Sequence, residues 1–549
     1  MIKFISIIPA FILLLYLNIG CENQHTNNQI NQYKAPDLVI GIMVDQMRPE
    51  YIYRYWDKYG DDGFKRLVQE GFVFEDTHFG YMPTFTGPGH ASVYTGTTPA
   101  VHGIIGNNWY VHEEGRYTYV TEDPSYQTVG SGTDAGEMSP RWMLSSTISD
   151  ELRLQSNMRS RVVGISLKDR GSILPAGHTG DAYWFDYETG DIITSTYYYD
   201  ELPEWVEEFN DRNLVDEYLS EPWETLLPIE EYTESIEDDN PYEGTFQGQE
   251  RPVFPHDLPA LRDENGPGLV ASTPFGDELL MELALAAIDG ESLGQNEFTD
   301  LLAISFSSTD HVGHQFGPAS IEVQDTYLRL DRQIARLLNR LDEEFGKENV
   351  LVFLTSDHGA GHVPAYLQDM GIPAGIFPED EVEDAIREFL MNQYGEDLLK
   401  SFSNKQIFLD RERITQLDTS LKKVQEDVAL FILTIDGIAG SLSAYSLHFG
   451  QFTEGIGRKV QRGYNQKRSG DVMTWLEPQW MPWAPTGTTH GSPYSYDTRA
   501  PMIWYGWDIS PGSSTETVYI SDIASTLAVF LNTAYPNGNT GSPMNHLMD

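Results

Sequence analysis

Four short apolar runs punctuate this chain, and three of them lead to an aspartate. Asp37-Leu-Val-Ile-Gly-Ile-Met-Val44 ends at Asp45, Leu301-Leu-Ala-Ile-Ser-Phe306 leads to Asp310, and Val350-Leu-Val-Phe-Leu354 leads to Asp357. The fourth is Pro501-Met-Ile-Trp-Tyr505. Runs without polar alternation are the pattern of strands buried on both faces, as in a parallel sheet covered by helices. Between the second and third runs, Val323, Tyr327, Leu330, Ile334, Leu337, Leu338 and Leu341 recur at helical spacing. That is a strand–helix–strand unit, and Ser521 to Leu531 reads as a closing helix. The pattern predicts an α/β fold with a central, mostly parallel sheet flanked by helices.

Two stretches break this rhythm. Residues from about 110 to 276 are rich in Tyr, Trp, Gly and acidic side chains, and those from about 364 to 482 are irregular too. Both read as insertions into one catalytic domain spanning 37–549, because the polar motifs lie on both sides of each. At the N-terminus, Lys3 precedes an apolar run from Phe4 to Leu17, shorter than the ~20 residues a spanning helix needs. It ends at Gly20-Cys21, the sole cysteine. A small residue before a lone cysteine is similar to a bacterial lipobox. Residues 1–20 therefore read as a lipoprotein-type signal peptide, Cys21 as the lipid anchor and 21–36 as a flexible tether. The expectation is an exported periplasmic or cell-surface protein that meets the membrane only through that anchor.

Composition narrows the function. Hydrophobic residues make up 40% of the 549, enough for a sizeable core. Asp and Glu total 83 against 35 Lys and Arg, a net charge of -48. A nucleic-acid binder needs basic patches, so that class is excluded. One cysteine forbids an intrachain disulfide and a cysteine-based zinc site.

Ligands collect at the carboxyl ends of strands in open parallel sheets. Asp45, Asp310 and Asp357 would then share one rim. Asp310-His-Val-Gly-His314 sets a carboxylate and an imidazole one helical turn apart. His358 follows Asp357, and His490 sits in a Gly-flanked loop. Mixed Asp and His ligands suit zinc, and six are enough for two ions. Two zincs can clamp the attacking and leaving oxygens of a displacement at phosphorus.

At these residues the sequence resembles the alkaline phosphatase superfamily, in order across nearly the whole mature chain. Asp45 lies in Met-Val-Asp-Gln-Met-Arg, Thr86 in Phe85-Thr-Gly-Pro-Gly-His90, and the Asp310/His314, Asp357-His358 and His490 ligands follow. The resemblance implies an alkaline-phosphatase-like fold and Thr86 as the nucleophile, with Thr84 a nearby competitor. It also implies two zinc ions. Asp310, His314 and His490 would hold one. Asp45, Asp357, His358 and the Thr86 oxygen would hold the other.

Sulfatases of this superfamily need Cys or Ser followed by x-Pro-x-Arg, which this motif lacks. Thr nucleophiles mark the nucleotide pyrophosphatase/phosphodiesterase branch and the phosphate-insensitive PafA-type monoesterase branch. Both carry an Asn about 21 residues on, which Asn107 fits, with Asn108 beside it. Ser166-Leu-Lys-Asp-Arg-Gly-Ser-Ile-Leu-Pro-Ala-Gly-His178 resembles the Lys-x-Arg motif of the monoesterases. A monoester carries one more negative oxygen than a diester, so Lys168 and Arg170 would reward the dianion. His178 has no chemical role in this reading and is taken as structural. The expectation is an alkaline phosphatase acting on small phosphomonoesters such as sugar phosphates and nucleotides. A phosphodiesterase on the same scaffold is the alternative.

Overall fold

Ten strands form the central sheet of the computed structural model, which describes residues 34–482 and 485–548. Cys21, the signal segment and most of the tether lie outside the described residues. In chain order the strands are β1 (Leu38–Val44), β2 (Phe72–His78), β3 (Thr128–Val129), β4 (Val162–Ser166), β5 (Asp181–Phe185), β6 (Ile192–Ser195), β7 (Asp300–Phe306), β8 (Val350–Thr355), β9 (Met502–Gly506) and β10 (Gly512–Tyr519). In space they run β10-β2-β9-β8-β1-β7-β4-β5-β6-β3. The central neighbours β8, β1, β7, β4 and β5 are all parallel. β9 runs antiparallel to both β8 and β2, and β6 antiparallel to β5.

The unbroken apolar runs have the cause expected of them. Alternate β1 residues enter two cores, one on each face. Leu38, Ile40, Ile42 and Val44 pack with Ile334, Leu337 and Leu341 of the long helix α4 (Ile321–Glu344). Val39 and Met43 pack with Val93 and Tyr94 and with Ile523 and Leu527 of the helix Asp522–Phe530. At Gly41 a Cβ would lie 2.4 Å from the Tyr94 hydroxyl and 2.6 Å from the Phe353 ring. Glycine there lets the aromatic layer close on the strand.

The expected insertion at 110–276 needs correction. This stretch supplies β3, β4, β5 and β6, so part of it is central sheet. These strands have only two to five residues each, and Tyr, Trp and acidic segments surround them. Short runs with such flanks do not stand out as buried strands in the sequence. The 364–482 stretch differs. It builds a separate antiparallel sheet of four strands, Leu399–Ser403, Gln406–Leu409, Val472–Leu476 and Ile438–Ser443. That sheet has a core of its own, including Ile386, Leu390, Ile407, Val424 and Val428.

Candidate active site

Four adjacent parallel strands, β8, β1, β7 and β4, present their carboxyl ends on one edge of the sheet. The residues just beyond those ends carry the charge. Asp357 follows β8 and Asp45 follows β1. Asp310 lies in the first turn of α3 (Ser308–Phe316) after β7. Lys168 follows β4, at the N-cap of α2 (Asp169–Ala176). The α3 start is held by Asp277, whose Oδ1 accepts from the Ser307 and Ser308 N–H groups at 3.0 Å each. Burial pushes that carboxyl up to about 7 despite those bonds.

The expected ligands come together in two clusters that share one carboxylate. Asp310, His314 and His490 form the first, and Asp45, Asp310 and His358 the second. His314 Nε2 is 3.2 Å and His490 Nε2 3.9 Å from Asp310 Oδ1. His358 Nε2 lies 3.2 Å from Asp45 Oδ1 and 3.5 Å from Asp357 Oδ2. The His358 and His490 rings stack with centroids 3.5 Å apart.

The donor set fits a metal such as zinc. Each imidazole has its Nδ1 against a backbone carbonyl: His314 on Thr488 at 2.7 Å, His358 on Gly359 at 3.0 Å, His490 on Thr84 at 2.7 Å. A carbonyl can only accept, so Nδ1 carries the hydrogen, and Nε2 is the inward nitrogen whose lone pair a cation would take once its proton is lost. Asp45 Oδ1, Asp357 Oδ2 and His358 Nε2 are buried with no hydrogen-bond partner. Buried polar atoms of that kind call for a partner, and a cation among them supplies one.

The charges strain against each other. Burial pushes the Asp357 carboxyl well above the usual range, and the adjacent Asp45 charge adds to it. Burial also works to raise Asp310, but the His314 and Lys168 charges hold it well below. His358 is pushed up to about 9, because Asp357 and Asp45 outweigh the burial that would lower it. His490 is driven well below its ordinary value by burial and by the charges of His358 and His314.

Thr86 opens the helix α1 (Thr86–Thr95), fully buried along its length. The first-turn N–H groups of a helix have no intrahelical acceptor and suit an anion. Thr84 is placed differently: its hydroxyl donates to the Ser492 carbonyl at 3.4 Å. α1 lies flush against the end of β8. A Cβ on Gly89 would fall 2.4 Å from the Asp357 carbonyl oxygen and 2.6 Å from its Cβ. His90 Nδ1 is 3.6 Å from Asp357 Oδ2, and its Nε2 is 2.7 Å from Ser305 Oγ. Asn107 Oδ1 accepts from the Gly87 N–H at 2.8 Å, which turns its amide toward the start of α1. Asn108 has a different partner: Asn404 Nδ2 donates to its backbone carbonyl at 2.6 Å and to its Oδ1 at 3.4 Å. Asn404 is at the tip of a hairpin from the 364–482 stretch, so that stretch reaches the rim of the site.

Lys168 is buried and Arg170 half-buried. Lys168 is 4% exposed, and its Nζ lies 2.6 Å from Asp45 Oδ2 and 2.5 Å from Asp310 Oδ2. Arg170 Nη1 donates to the Tyr119 hydroxyl at 2.7 Å, and that hydroxyl donates to Asp169 Oδ1 at 2.7 Å. The resemblance aims both cations at substrate. In the structure Lys168 instead contacts the clustered carboxylates of Asp45 and Asp310, where the Coulomb attraction of two buried anions is strongest. Burial would lower the Lys168 pKa, but Asp310 and Asp45 raise it, so it stays charged. His178 lies just past the end of α2, where its N–H donates to Asp150 Oδ1 at 2.8 Å and its Nδ1 is 3.1 Å from Asp150 Oδ2.

Sequence reasoning missed three supporting residues. Gln46 bridges the clusters, with Nε2 donating to Asp310 Oδ1 at 2.6 Å and its N–H to Asp357 Oδ1 at 3.1 Å. It stood in the first motif, directly after Asp45. Tyr119 and Asp169 orient Arg170, and only Asp169's place within Lys-x-Arg hinted at this.

Residues 39–499 match the family described as type I phosphodiesterase / nucleotide pyrophosphatase. The chain belongs to this family. An alkaline phosphatase PafA of Elizabethkingia meningoseptica is 42% identical over 94% of this chain and 95% of its own. A crystal structure of wild-type alkaline phosphatase PafA superposes with a TM-score of 0.91, at 41% identity, over 94% of this chain and 99% of that one. The resemblance to the PafA-type branch is thereby confirmed, as is the alkaline-phosphatase-like fold. The chain is an enzyme of the alkaline phosphatase group. A 44% identical protein of Myroides odoratus, matched over 94% of this chain and 95% of its own, bears the name calcium-transporting ATPase. Among the described residues no helix is long and apolar enough to cross a membrane.

Proposed function

We propose that this protein is a two-zinc phosphate monoesterase working through a covalent phosphothreonine on Thr86. The observation that carries the proposal is the pair of ligand clusters sharing Asp310, with Lys168 seated on their carboxylates. Asp310, His314 and His490 would hold one ion, and Asp45, Asp357 and His358, with the Thr86 oxygen, the other. Zinc, when bound, favours the deprotonated nucleophile and offsets charge at phosphorus.

The remaining chemistry belongs to the chain. The Thr86 oxygen forms a bond to phosphorus while the ester P–O bond breaks, and the departing alcohol leaves with a proton. Water then cleaves the phosphothreonine, releasing phosphate and restoring the hydroxyl. The Thr86 N–H at the start of α1 and the Asn107 amide donate to non-bridging oxygens, the Gly87 N–H being taken up by Asn107 Oδ1. Arg170, steadied by Tyr119 and Asp169, and Lys168 meet the extra charge of a monoester. Gln46 fixes the spacing of Asp310 and Asp357. Sugar phosphates and nucleotides are the expected substrates. The family's name points to the diesterase rival, and the cationic pair Lys168 and Arg170 favours the monoester.

A panel comparing an aryl phosphate with the matching bis-ester on zinc-loaded enzyme tests this reading. Higher kcat/KM on the monoester, and two zinc ions per chain by elemental analysis, are expected. A bis-ester preference overturns it. We also propose export and lipidation at Cys21. Cys21→Ser should then move the protein from the membrane to the soluble fraction, and unchanged fractionation would refute that.

A further inference from the structure

A second cationic feature lies outside the metal site, on α5 (Gly455–Gly463), whose sequence Gly-Ile-Gly-Arg-Lys-Val-Gln-Arg-Gly holds three basic residues. One side of α5 braces the catalytic region. Lys459 Nζ donates to the Pro493 carbonyl at 2.7 Å and to Thr498 Oγ1 at 2.8 Å. The Lys459 carbonyl accepts from the Met82 N–H at 3.2 Å, four residues before Thr86.

The other side faces two adjoining cavities of about 320 and 300 Å³. Both are lined by Arg458, Arg462, Thr517 and Tyr519. The two guanidinium groups lie over the Tyr519 ring, 5.9 and 5.5 Å from its centre. Among the described residues neither arginine forms an ion pair, although acidic residues outnumber basic ones 83 to 35. Arg66, Arg212, Arg336, Arg340 and Arg387, by contrast, all reach carboxylates.

The carboxylates that line the cavities are engaged elsewhere, apart from the exposed Glu454. Asp76 accepts from the Thr517 hydroxyl at 2.6 Å and lies 2.9 Å from His78. Asp522 accepts from the Tyr519 and Ser542 N–H groups at 2.9 Å each. Glu516 pairs with His546 at 2.9 Å. Two cations four residues apart on a helix repel each other. Burial and the Arg458 charge accordingly lower the Arg462 pKa, against the pull of Tyr519 and Asp522. An anion between the two arginines would relieve both costs, and two guanidinium forks match the oxygens of a phosphoryl group.

We propose that Arg458 and Arg462 form a binding site for a dianionic phosphoryl group, separate from the metal clusters. Its occupant is inorganic phosphate or a small phosphorylated molecule held by that end. The site does not depend on the assignment of Thr86.

Equilibrium dialysis of radiolabelled inorganic phosphate against the full, zinc-loaded enzyme tests this. The wild type should bind one more phosphate per chain than Arg458→Gln/Arg462→Gln, with hydrolysis unchanged. Equal stoichiometry would overturn the site. Should that variant fold poorly, Arg458→Lys/Arg462→Lys keeps the charges and loses the forks, and its extra site should weaken at least about tenfold. Undiminished affinity would count against the assignment. A non-hydrolysable phosphonate monoester separates the two sources. Displacing phosphate at lower concentration than phosphate itself identifies the organic ligand, and weaker displacement identifies free phosphate. In crystals of the wild type soaked with tungstate, density should lie between the two guanidinium groups. Density confined to the metal clusters would refute the proposal.

Discussion

Asp45, Asp310 and Asp357 make one half of the candidate site, and Lys168 with Arg170 makes the other. Both halves use the same device, a charged residue just past the carboxyl end of a parallel strand. They differ in support. The acidic half rests on β8, β1 and β7, strands of six or seven residues buried on both faces. The cationic half rests on the five-residue β4 and on a chain of side chains: Arg170 to Tyr119, Tyr119 to Asp169, His178 to Asp150. The acidic half is thus positioned by the main chain, and the cationic half largely by hydrogen bonds. Damage to the first should remove catalysis, whereas damage to the second should reshape it.

The largest effect is expected where α1 meets the acidic half. Thr86→Ala should lower kcat by at least about a thousandfold, the scale on which hydrolases lose rate with their nucleophile. Thr84→Ala should cost far less, since its hydroxyl already serves Ser492. Single-turnover assays and the unfolding transition of each variant decide this, and the reverse ranking would move the nucleophile to Thr84.

Next comes the cationic pair. A hydrogen bond to a charged group contributes ~1.5–3 kcal/mol, so each loss should cost roughly tenfold to a hundredfold on monoesters. Lys168→Ala/Arg170→Ala should therefore shift the monoester-to-diester ratio of kcat/KM toward the diester. Because Lys168 touches Asp45 and Asp310, the variant's zinc content must be measured as well. Equal loss on both substrates, with zinc retained, would show that the pair serves the reaction generally.

Tyr119→Phe isolates the supporting chain. It removes one hydroxyl shared by Arg170 and Asp169, worth about 1 kcal/mol or roughly fivefold in kcat/KM. The loss should appear on monoesters and leave diesters nearly unaffected. If both substrates slow alike, Arg170 is positioned by something other than Tyr119.

The smallest effect is on stability. The hydrogen bond to Asp150 raises the His178 pKa above its ordinary 6.5, against the burial that would lower it. A raised folded-state value means the charged pair stabilises fully below pH 6.5 and fades as pH climbs through the folded pKa. His178→Ala should thus lower Tm more at pH 6 than at pH 9, by an amount kept small by solvent screening. A pH-independent change would show that packing, not charge, is what His178 supplies.

The acidic half could be read from sequence because it follows from strand pattern: an apolar run that stops at a carboxylate announces its own geometry. The cationic half could be read only by resemblance. β4 is Val-Val-Gly-Ile-Ser, too short to stand out, and the stretch around it reads as an insertion although four sheet strands come from it. Gln46, Tyr119 and Asp169 were illegible for another reason. They reach their partners through tertiary contacts between 50 and 311 residues apart, which no local period encodes. Even Lys168, found by its motif, gave no sign that it would lie on Asp45 and Asp310.

Gly89 makes a different kind of contribution. It has no reactive atom, yet it is the surface on which the helix opened by Thr86 bears against the strand end holding Asp357. It works as a machinist's datum: the spacing of Thr86 from Asp357 is gauged from a bare backbone rather than from any adjustable side chain. A methyl group there would act as a shim. It would displace the helix while every ligand, cation and hydroxyl stayed chemically intact. Dimensional error of about 1 Å can cost a hundredfold in rate. A survey of this enzyme's relatives restricted to chemically competent residues would therefore pass a chain whose parts are all present and whose fit is lost.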